Sequence, residues 1–158
     1  PKICKDVSLI RAQDETEGKE EIRLFRGRVQ MHAVRNAESV KGIPLIHTTH
    51  LKDGEINLNG YNVSPKLPKI YSPAVLLPRV GKPDNSKVAI YRSRQPIVPS
   101  DCIMALLCGS LEQAKCLKTM FLRNWDAFER GYSGTCAKYL TVETLTNFLR
   151  GYGFNVKT

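Results

Sequence analysis

The apolar residues of this chain occur in short runs separated by proline, glycine, asparagine and aspartate. Ile103–Cys108 is the longest of these runs and has only six residues, whereas a membrane-spanning helix needs about 20. Short aliphatic and β-branched runs bounded by turn residues are typical of buried strands. The pattern therefore favours a domain built around a sheet of short strands and excludes a helical transmembrane protein.

The order of these runs along the chain indicates the fold class. The predicted strands are Ile22–Phe25, Ile43–Thr48, Glu55–Leu58, Ala74–Leu77, Lys87–Tyr91, Ile97–Val98 and Ile103–Leu107. Apolar side chains at three-to-four spacing predict a helix over Ser110–Asn124, with Ser110 as its N-cap. Residues 141–149 should form a closing helix or strand. Strands followed by helices predict an α+β domain with a twisted, mainly antiparallel sheet and a few packing helices.

A length of 158 residues is that of one ordinary domain. Residues 1–21 contain an acidic cluster and few apolar residues, so we expect a loop or linker there. The chain begins with proline and not with methionine, which suggests either processing or a fragment of a larger polypeptide. Its five cysteines form no CxxC pair and no secretory segment precedes them, which predicts reduced thiols in a cytoplasmic protein.

The positive charge of the chain is concentrated in one segment. The formal net charge is +9, and residues 61–100 contribute +6 of it, with seven Lys or Arg against one Asp. A surface that merely faces water would normally mix acids with its bases. This excess favours a polyanionic partner, which is either a nucleic acid or an anionic membrane surface.

The motifs of common catalytic sites are missing from the sequence. There is no P-loop, no GxSxG elbow, no HExxH and no acid-x-Lys pair of the nuclease kind. His47 and His50 have no identifiable third ligand, so we expect a hydrogen-bonding role for them and no metal site. We expect no catalytic residues in this chain.

A set of polar and basic residues remains as a candidate DNA-binding site. Such side chains neutralise phosphates and read base edges in the major groove. The candidates are Arg79, Lys82, Asn85, Lys87, Arg92 and Arg94 in the basic segment, His47, Thr48, Thr49 and His50 before it, and Lys138 and Tyr139 after it.

Three stretches of the sequence resemble motifs of one protein family in the same order. Gly42–Ile56 resembles a "G-I-P-hydrophobic-I … L … G-x-I" stretch, and Val75–Tyr91 resembles a "hydrophobic-R-x-G … hydrophobic" strand pair. Gly134–Leu145 resembles a closing "G-T-x-x-x-x-L-T … L" motif. These motifs are those of DNA target-recognition domains, which occur in type I restriction specificity subunits and at the C-terminus of N6-adenine DNA methyltransferases.

The resemblance implies a sequence-specific module that binds double-stranded DNA within a restriction-modification system. Methyl transfer from S-adenosylmethionine would then belong to a partner methyltransferase domain or subunit, and this chain would hold no cofactor of its own. Residues 1–158 would form a single target-recognition domain. Two alternatives stay open, namely a nuclease or other nucleic-acid enzyme with an unrecognised site, and an RNA-binding or protein-interaction module.

Two substitutions follow from these expectations. Charge reversal at Arg79, Arg92 and Arg94 should weaken DNA binding without unfolding the domain. Gly134→Val should lower the thermal stability, because Gly134 is expected to permit a backbone turn.

Overall fold

The computed structural model describes residues 20–34 and 41–158. The strands in these residues are β1 (Glu21–Arg26), β2 (Ile43–Ile46), β3 (Leu51–Lys52), β4 (Glu55–Ile56), β5 (Asn62–Val63), β6 (Ala74–Pro78), β7 (Ala89–Tyr91), β8 (Val98–Pro99), β9 (Ile103–Leu107) and β10 (Asn155–Lys157). The helices are α1 (Met31–Val34), α2 (Leu111–Arg123), α3 (Trp125–Glu129) and α4 (Val142–Gly151). The loop or linker expected over residues 1–21 lies outside the described residues, apart from Glu20 and Glu21.

A five-stranded sheet with the order β10-β1-β9-β6-β7 forms the centre of the fold. Its pairings are antiparallel except for β1 with β10. Side chains alternate between its faces, so that Val75 and Leu77 pack on one side and Ala74 and Leu76 on the other. Because both faces are covered, its central strands are apolar throughout, which explains the uninterrupted run in Ile103–Leu107.

Helices α2, α3 and α4 cover one face of this sheet. The N-cap of α2 is Ser110, whose hydroxyl accepts a hydrogen bond from the Gln113 N–H at 3.1 Å, as the sequence predicts. Thr141 caps α4 in the same way, through the Thr144 N–H at 3.1 Å. Each cap satisfies a backbone donor that the first helical turn leaves without a partner. The apolar sides of the helices then meet the sheet in one continuous core.

Two smaller sheets cover the other face. One has the order β5-β2-β8, and the other is the hairpin of β3 and β4. The hairpin turns at Asp53 and Gly54, which both have positive φ (53° and 74°), as the Asp-Gly pair predicts. Ile46 and Leu51 from these sheets pack against the central sheet.

The predicted α+β class with a mainly antiparallel sheet is confirmed. The sequence predicted either a helix or a strand over residues 141–149, and the structure has helix α4 there, with Thr141 as its N-cap. The predicted strand Ile43–Thr48 ends at Ile46, because a 3-10 turn begins at Thr48. Strand β10 was not predicted from the sequence.

The cysteines differ in part from the expectation of reduced thiols. Cys102, Cys108 and Cys136 are free, whereas Cys116 on α2 is disulfide-bonded. The expectation was therefore wrong for Cys116. Among the helices that the structure describes, none combines the length and apolar character needed to cross a membrane.

Candidate nucleic-acid interface

Three segments that are far apart in the sequence meet at one end of the central sheet. Residues 79–87 connect β6 to β7, and residues 133–140 form a turn beside them. The Gly81 N–H donates to the Lys138 carbonyl at 2.9 Å, and the Leu140 N–H donates to the Arg79 carbonyl at 2.7 Å. The two loops are thus joined by a short antiparallel pairing, which fixes their relative position.

The third segment is the 3-10 turn Thr48–His50. The Lys87 ammonium donates to the Thr48 carbonyl at 3.3 Å. Beside it, the Gly54 N–H donates to the Ser86 carbonyl at 2.7 Å, which ties the β3–β4 hairpin to the same loop. We call residues 47–50, 79–87 and 133–140 together the loop cluster. The structure therefore brings together the three stretches that resemble recognition-domain motifs.

Asp84 orders the connecting loop from within. Its carboxylate accepts hydrogen bonds from the Ser86 N–H at 2.9 Å and the Ser86 hydroxyl at 2.7 Å, and so caps the 3-10 turn Asn85–Lys87. These hydrogen bonds, assisted by the charges of Lys87 and Lys82, hold the pKa of Asp84 below its ordinary value. The acid is thus paired with its own loop, while two ammonium groups lie near it.

His47 and His50 have a structural role in the loop cluster. The His47 N–H donates to Nδ1 of His50 at 2.8 Å, and Nδ1 of His47 lies 2.8 Å from the Ser100 hydroxyl. Burial lowers the pKa of both rings. For His47, the charge of Asp101 raises the pKa and the charge of Lys87 lowers it, and the net direction is downward. The hydrogen-bonding role that the sequence predicts is confirmed by these contacts.

This arrangement predicts that the domain loses stability as the pH falls through about 6.5, the ordinary histidine value. Below that pH the unfolded chain binds more protons at these rings than the folded chain, so protonation favours unfolding. The double variant His47→Asn/His50→Asn, which cannot titrate there, should show a smaller decrease of Tm between pH 7.5 and 5.5 than the unmodified chain. Equal decreases in both proteins would contradict this prediction.

Arg79, which the sequence places among the DNA contacts, also makes a side-chain contact within the fold. Its side-chain Nε donates to the Asp101 carbonyl at 2.8 Å, and its backbone N–H donates to the Cys102 carbonyl at 2.7 Å. Charge reversal at Arg79 should therefore perturb the fold, so it is a poor test of DNA binding.

Tyr132 is also structural, since its buried hydroxyl donates to the Pro78 carbonyl and burial raises its pKa.

Arg92 and Arg94 lie away from the loop cluster. Tyr91 pairs with Ala74, at the start of β6, whereas the loop cluster follows Pro78 at its end. The four residue steps from Ala74 to Pro78 correspond to about 13 Å of strand. Both arginines are exposed, but they belong to the opposite end of this strand pair.

The exposed members of the loop cluster are suited to contacts with a nucleic acid. Among these exposed residues are Thr49, Lys82, Asn85, Lys138 and Tyr139. Lysine ammonium groups bind phosphates, and the asparagine amide forms bidentate contacts with base edges. Because hydrogen bonds join the loops that carry these residues, the cluster presents them as one surface.

A cavity of about 520 Å³ opens within this surface. Lys82, Asn85 and Lys87 line it together with Trp125, the first residue of α3. Sequence analysis gave no function to Trp125. A useful signal would have been its position directly after Asn124, a residue that favours helix ends.

Lys118 on α2 is a second residue that sequence analysis missed. Its ammonium lies 3.5 Å from the Gly54 carbonyl, close to the contact between Gly54 and Ser86. It adds a positive charge beside the loop cluster. Its place within an amphipathic helix gave no sign of this, because surface lysines are common on helices.

Residues 20–34 and 41–158 hold no group of three or more side chains suited to binding a metal ion. Burial raises the pKa of the Cys108 thiol to about 12, and burial beside Asp101 raises that of Cys102. These two thiols are therefore not thiolates at neutral pH.

No protein-family model matches the chain, and no curated protein sequence matches it. A solved structure of a type I restriction-modification system S subunit from M. genitalium is similar at 9% sequence identity and a TM-score of 0.48. The alignment covers 78% of this chain and 30% of that subunit.

Proposed function

We propose that this domain binds double-stranded DNA in a sequence-specific manner through the loop cluster. The supporting observation is the convergence of residues 47–50, 79–87 and 133–140 at one end of the sheet. Lysines at this end neutralise phosphates, while Asn85 and the threonine hydroxyls read base edges. The net charge of +9 adds a long-range attraction for DNA.

The rigid support of the cluster favours specific recognition. Its loops are joined to each other by backbone hydrogen bonds, and the Asp84 cap and the histidine turn hold them from within. Preorganised polar groups discriminate between partners because a wrong base leaves them without a hydrogen-bond partner. Each good bidentate contact to a base edge contributes about 1–3 kcal/mol of discrimination.

The wider biological role is part of the proposal. The domain would act in the cytoplasm as the recognition part of a restriction-modification system, next to an N6-adenine methyltransferase domain or subunit. S-adenosylmethionine would be bound by that partner, and this chain would contribute no catalytic residue. The motif resemblance of Gly42–Ile56, Val75–Tyr91 and Gly134–Leu145 supports this role.

The double variant Lys82→Gln/Lys138→Gln tests the proposed surface. Both side chains are exposed, so the fold should be retained. We expect duplex DNA to bind roughly tenfold more weakly at about 0.1 M salt, and the slope of log K against log salt to fall by about 1.8. Fluorescence anisotropy with a labelled duplex over a salt series measures both quantities.

Two matched variants locate the binding surface. Arg92→Gln/Arg94→Gln removes the same charge at the opposite end of the β6–β7 pair, and Arg23→Gln/Lys157→Gln removes it from the β1–β10 edge. Affinity and salt slope should change little in both. Equal losses in all three double variants would show only non-specific attraction and overturn the proposed site.

Competition and cleavage assays separate the remaining alternatives. Duplex DNA should compete for the labelled duplex more strongly than single-stranded RNA of equal length. Preference for the RNA would favour an RNA-binding module instead. Metal-dependent cleavage of the duplex, together with metal in the purified protein, would favour a nuclease.

A further inference from the structure

The cavity within the loop cluster combines an aromatic side chain with cations. Its volume of about 520 Å³ lies within the ~300–1,000 Å³ typical of sites for small molecules and cofactors. Trp125 stands on the helical layer, and Lys82, Asn85 and Lys87 stand on the loop between β6 and β7. The cavity therefore lies where these two parts of the domain meet.

The position of Trp125 results from a break between two helices. Asn124 leaves helical geometry (φ −111°, ψ 28°), and its side-chain amide donates to the Met120 carbonyl at 2.9 Å. Helix α3 then begins at Trp125, whose ring packs against Phe128 with centroids 5.4 Å apart. The indole stays half-buried and lines the cavity, so it is anchored by the core and still accessible to a ligand.

The polar lining of the cavity favours an anion. Lys82 and Lys87 line the cavity, and the Asp84 carboxylate, which lines it as well, accepts hydrogen bonds from the N–H and the hydroxyl of Ser86. Lys82 is exposed, and its ammonium is suited to a phosphate. Gly81 at the rim has positive φ (109°), and an added Cβ there would meet nothing within 4 Å. A ligand can therefore approach the backbone closely at this position.

We propose that this cavity binds one unpaired nucleotide of the DNA, with its base stacked on Trp125 and its phosphate at Lys82. The proposal rests on the proposed function and extends it, since the loop cluster would then hold a nucleotide that has left the base stack. An aromatic ring accepts any base as a stacking partner, and Asn85 offers hydrogen bonds to its edge. Unstacking costs free energy, so a nucleotide that is already unpaired should be bound preferentially.

A duplex with one bulged nucleotide, compared with the same duplex carrying an abasic residue at the bulge, tests this site. Both probes have the same number of phosphates and the same paired sequence, and one of them lacks the bulged base. We expect the base-containing probe to bind about tenfold more tightly, because stacking on an aromatic side chain is lost with the abasic residue. Trp125 is the sole tryptophan, so quenching of tryptophan fluorescence by this probe reports directly on the cavity.

The variant Trp125→Leu keeps an apolar side chain against Phe128 but cannot stack on a base. It should lose the preference for the bulged base over the abasic residue. Tyr71→Leu is the matched control, because it removes an exposed aromatic ring that lies outside the loop cluster and does not line the cavity. It should keep the preference.

The outcomes separate this inference from the proposed function. Tight binding of the paired duplex, with equal affinities for the two bulged probes and no tryptophan quenching, would overturn the nucleotide site and leave DNA recognition intact. Failure to bind any duplex would overturn the proposed function, and this inference with it. The comparison of the two probes uses the unmodified protein, so it decides the question even if Trp125→Leu does not fold.

Discussion

Phe128→Ala is expected to lower the free energy of unfolding by about 3–5 kcal/mol. Phe128 is 1% exposed and lies at the centre of an aromatic cluster that joins all three helices of the helical layer. Its ring centroid is 4.8 Å from that of Phe121 on α2 and 5.0 Å from that of Phe148 on α4. Truncation leaves a cavity that the surrounding helices and sheet cannot fill. Urea unfolding followed by circular dichroism measures the change.

Leu122→Ala provides the control for this prediction. Leu122 lies on α2 next to Phe121 but is 42% exposed, so its truncation should change the free energy of unfolding by no more than about 0.5 kcal/mol. Similar losses in the two variants would show that the aromatic cluster is not the centre of the helical core.

Phe128 also supports Trp125, so Phe128→Ala should weaken binding of the bulged nucleotide at temperatures where the variant is still folded.

Gly134→Ala, the mildest form of the Gly134→Val change, is expected to lower stability by about 2–4 kcal/mol. Gly134 has φ 129°, which L-residues rarely adopt, and an added Cβ would lie 2.2 Å from the Ala137 carbonyl oxygen. Relief of this contact requires the 133–140 turn to move, and that turn pairs with residues 79–81. Thermal unfolding should therefore show a lower Tm, and the affinity for duplex DNA should decrease as well.

Gly151→Ala is the matched control for Gly134→Ala. Gly151 is the last residue of α4, and an added Cβ there would meet nothing within 4 Å. Alanine favours a helix over glycine by roughly 0.5–1 kcal/mol, so the Tm should stay the same or rise. An unchanged Tm in Gly134→Ala would show that the turn does not need the glycine conformation.

The parts of the fold that depend on local sequence were predictable. Apolar runs locate β6 and β9, three-to-four spacing and Ser110 locate α2, and the Asp53-Gly54 pair locates a hairpin turn. Each of these signals acts within a few residues of the structure it specifies. Strand β10 has only three residues, two of them exposed, and it exists because β1 offers an edge for parallel pairing. No local pattern encodes such a distant partner.

For the candidate site, too, one part was predictable from the sequence and another part was not. Its residue types were predictable, because the excess of Lys and Arg in residues 61–100 is a matter of composition. Their grouping was not, since Lys82 and Arg92 are ten residues apart in the chain but lie at opposite ends of the β6–β7 pair. Arg79 was named for its charge, yet its guanidinium is bound to the Asp101 carbonyl. Whether a cation is available to a ligand depends on its neighbours in space.

By itself, the sequence determined the α+β class, the main strands, the α2 cap and the basic character of residues 61–100. Side-chain periodicity and turn residues act within a few residues of the structure they specify, and the charge of a segment is the sum of the charges of its residues. Only the tertiary structure decided that residues 47–50, 79–87 and 133–140 form one surface, and that Trp125 lines a cavity within it. These arrangements come from backbone hydrogen bonds and core packing between segments distant in the chain, and such contacts exist only once the chain has folded.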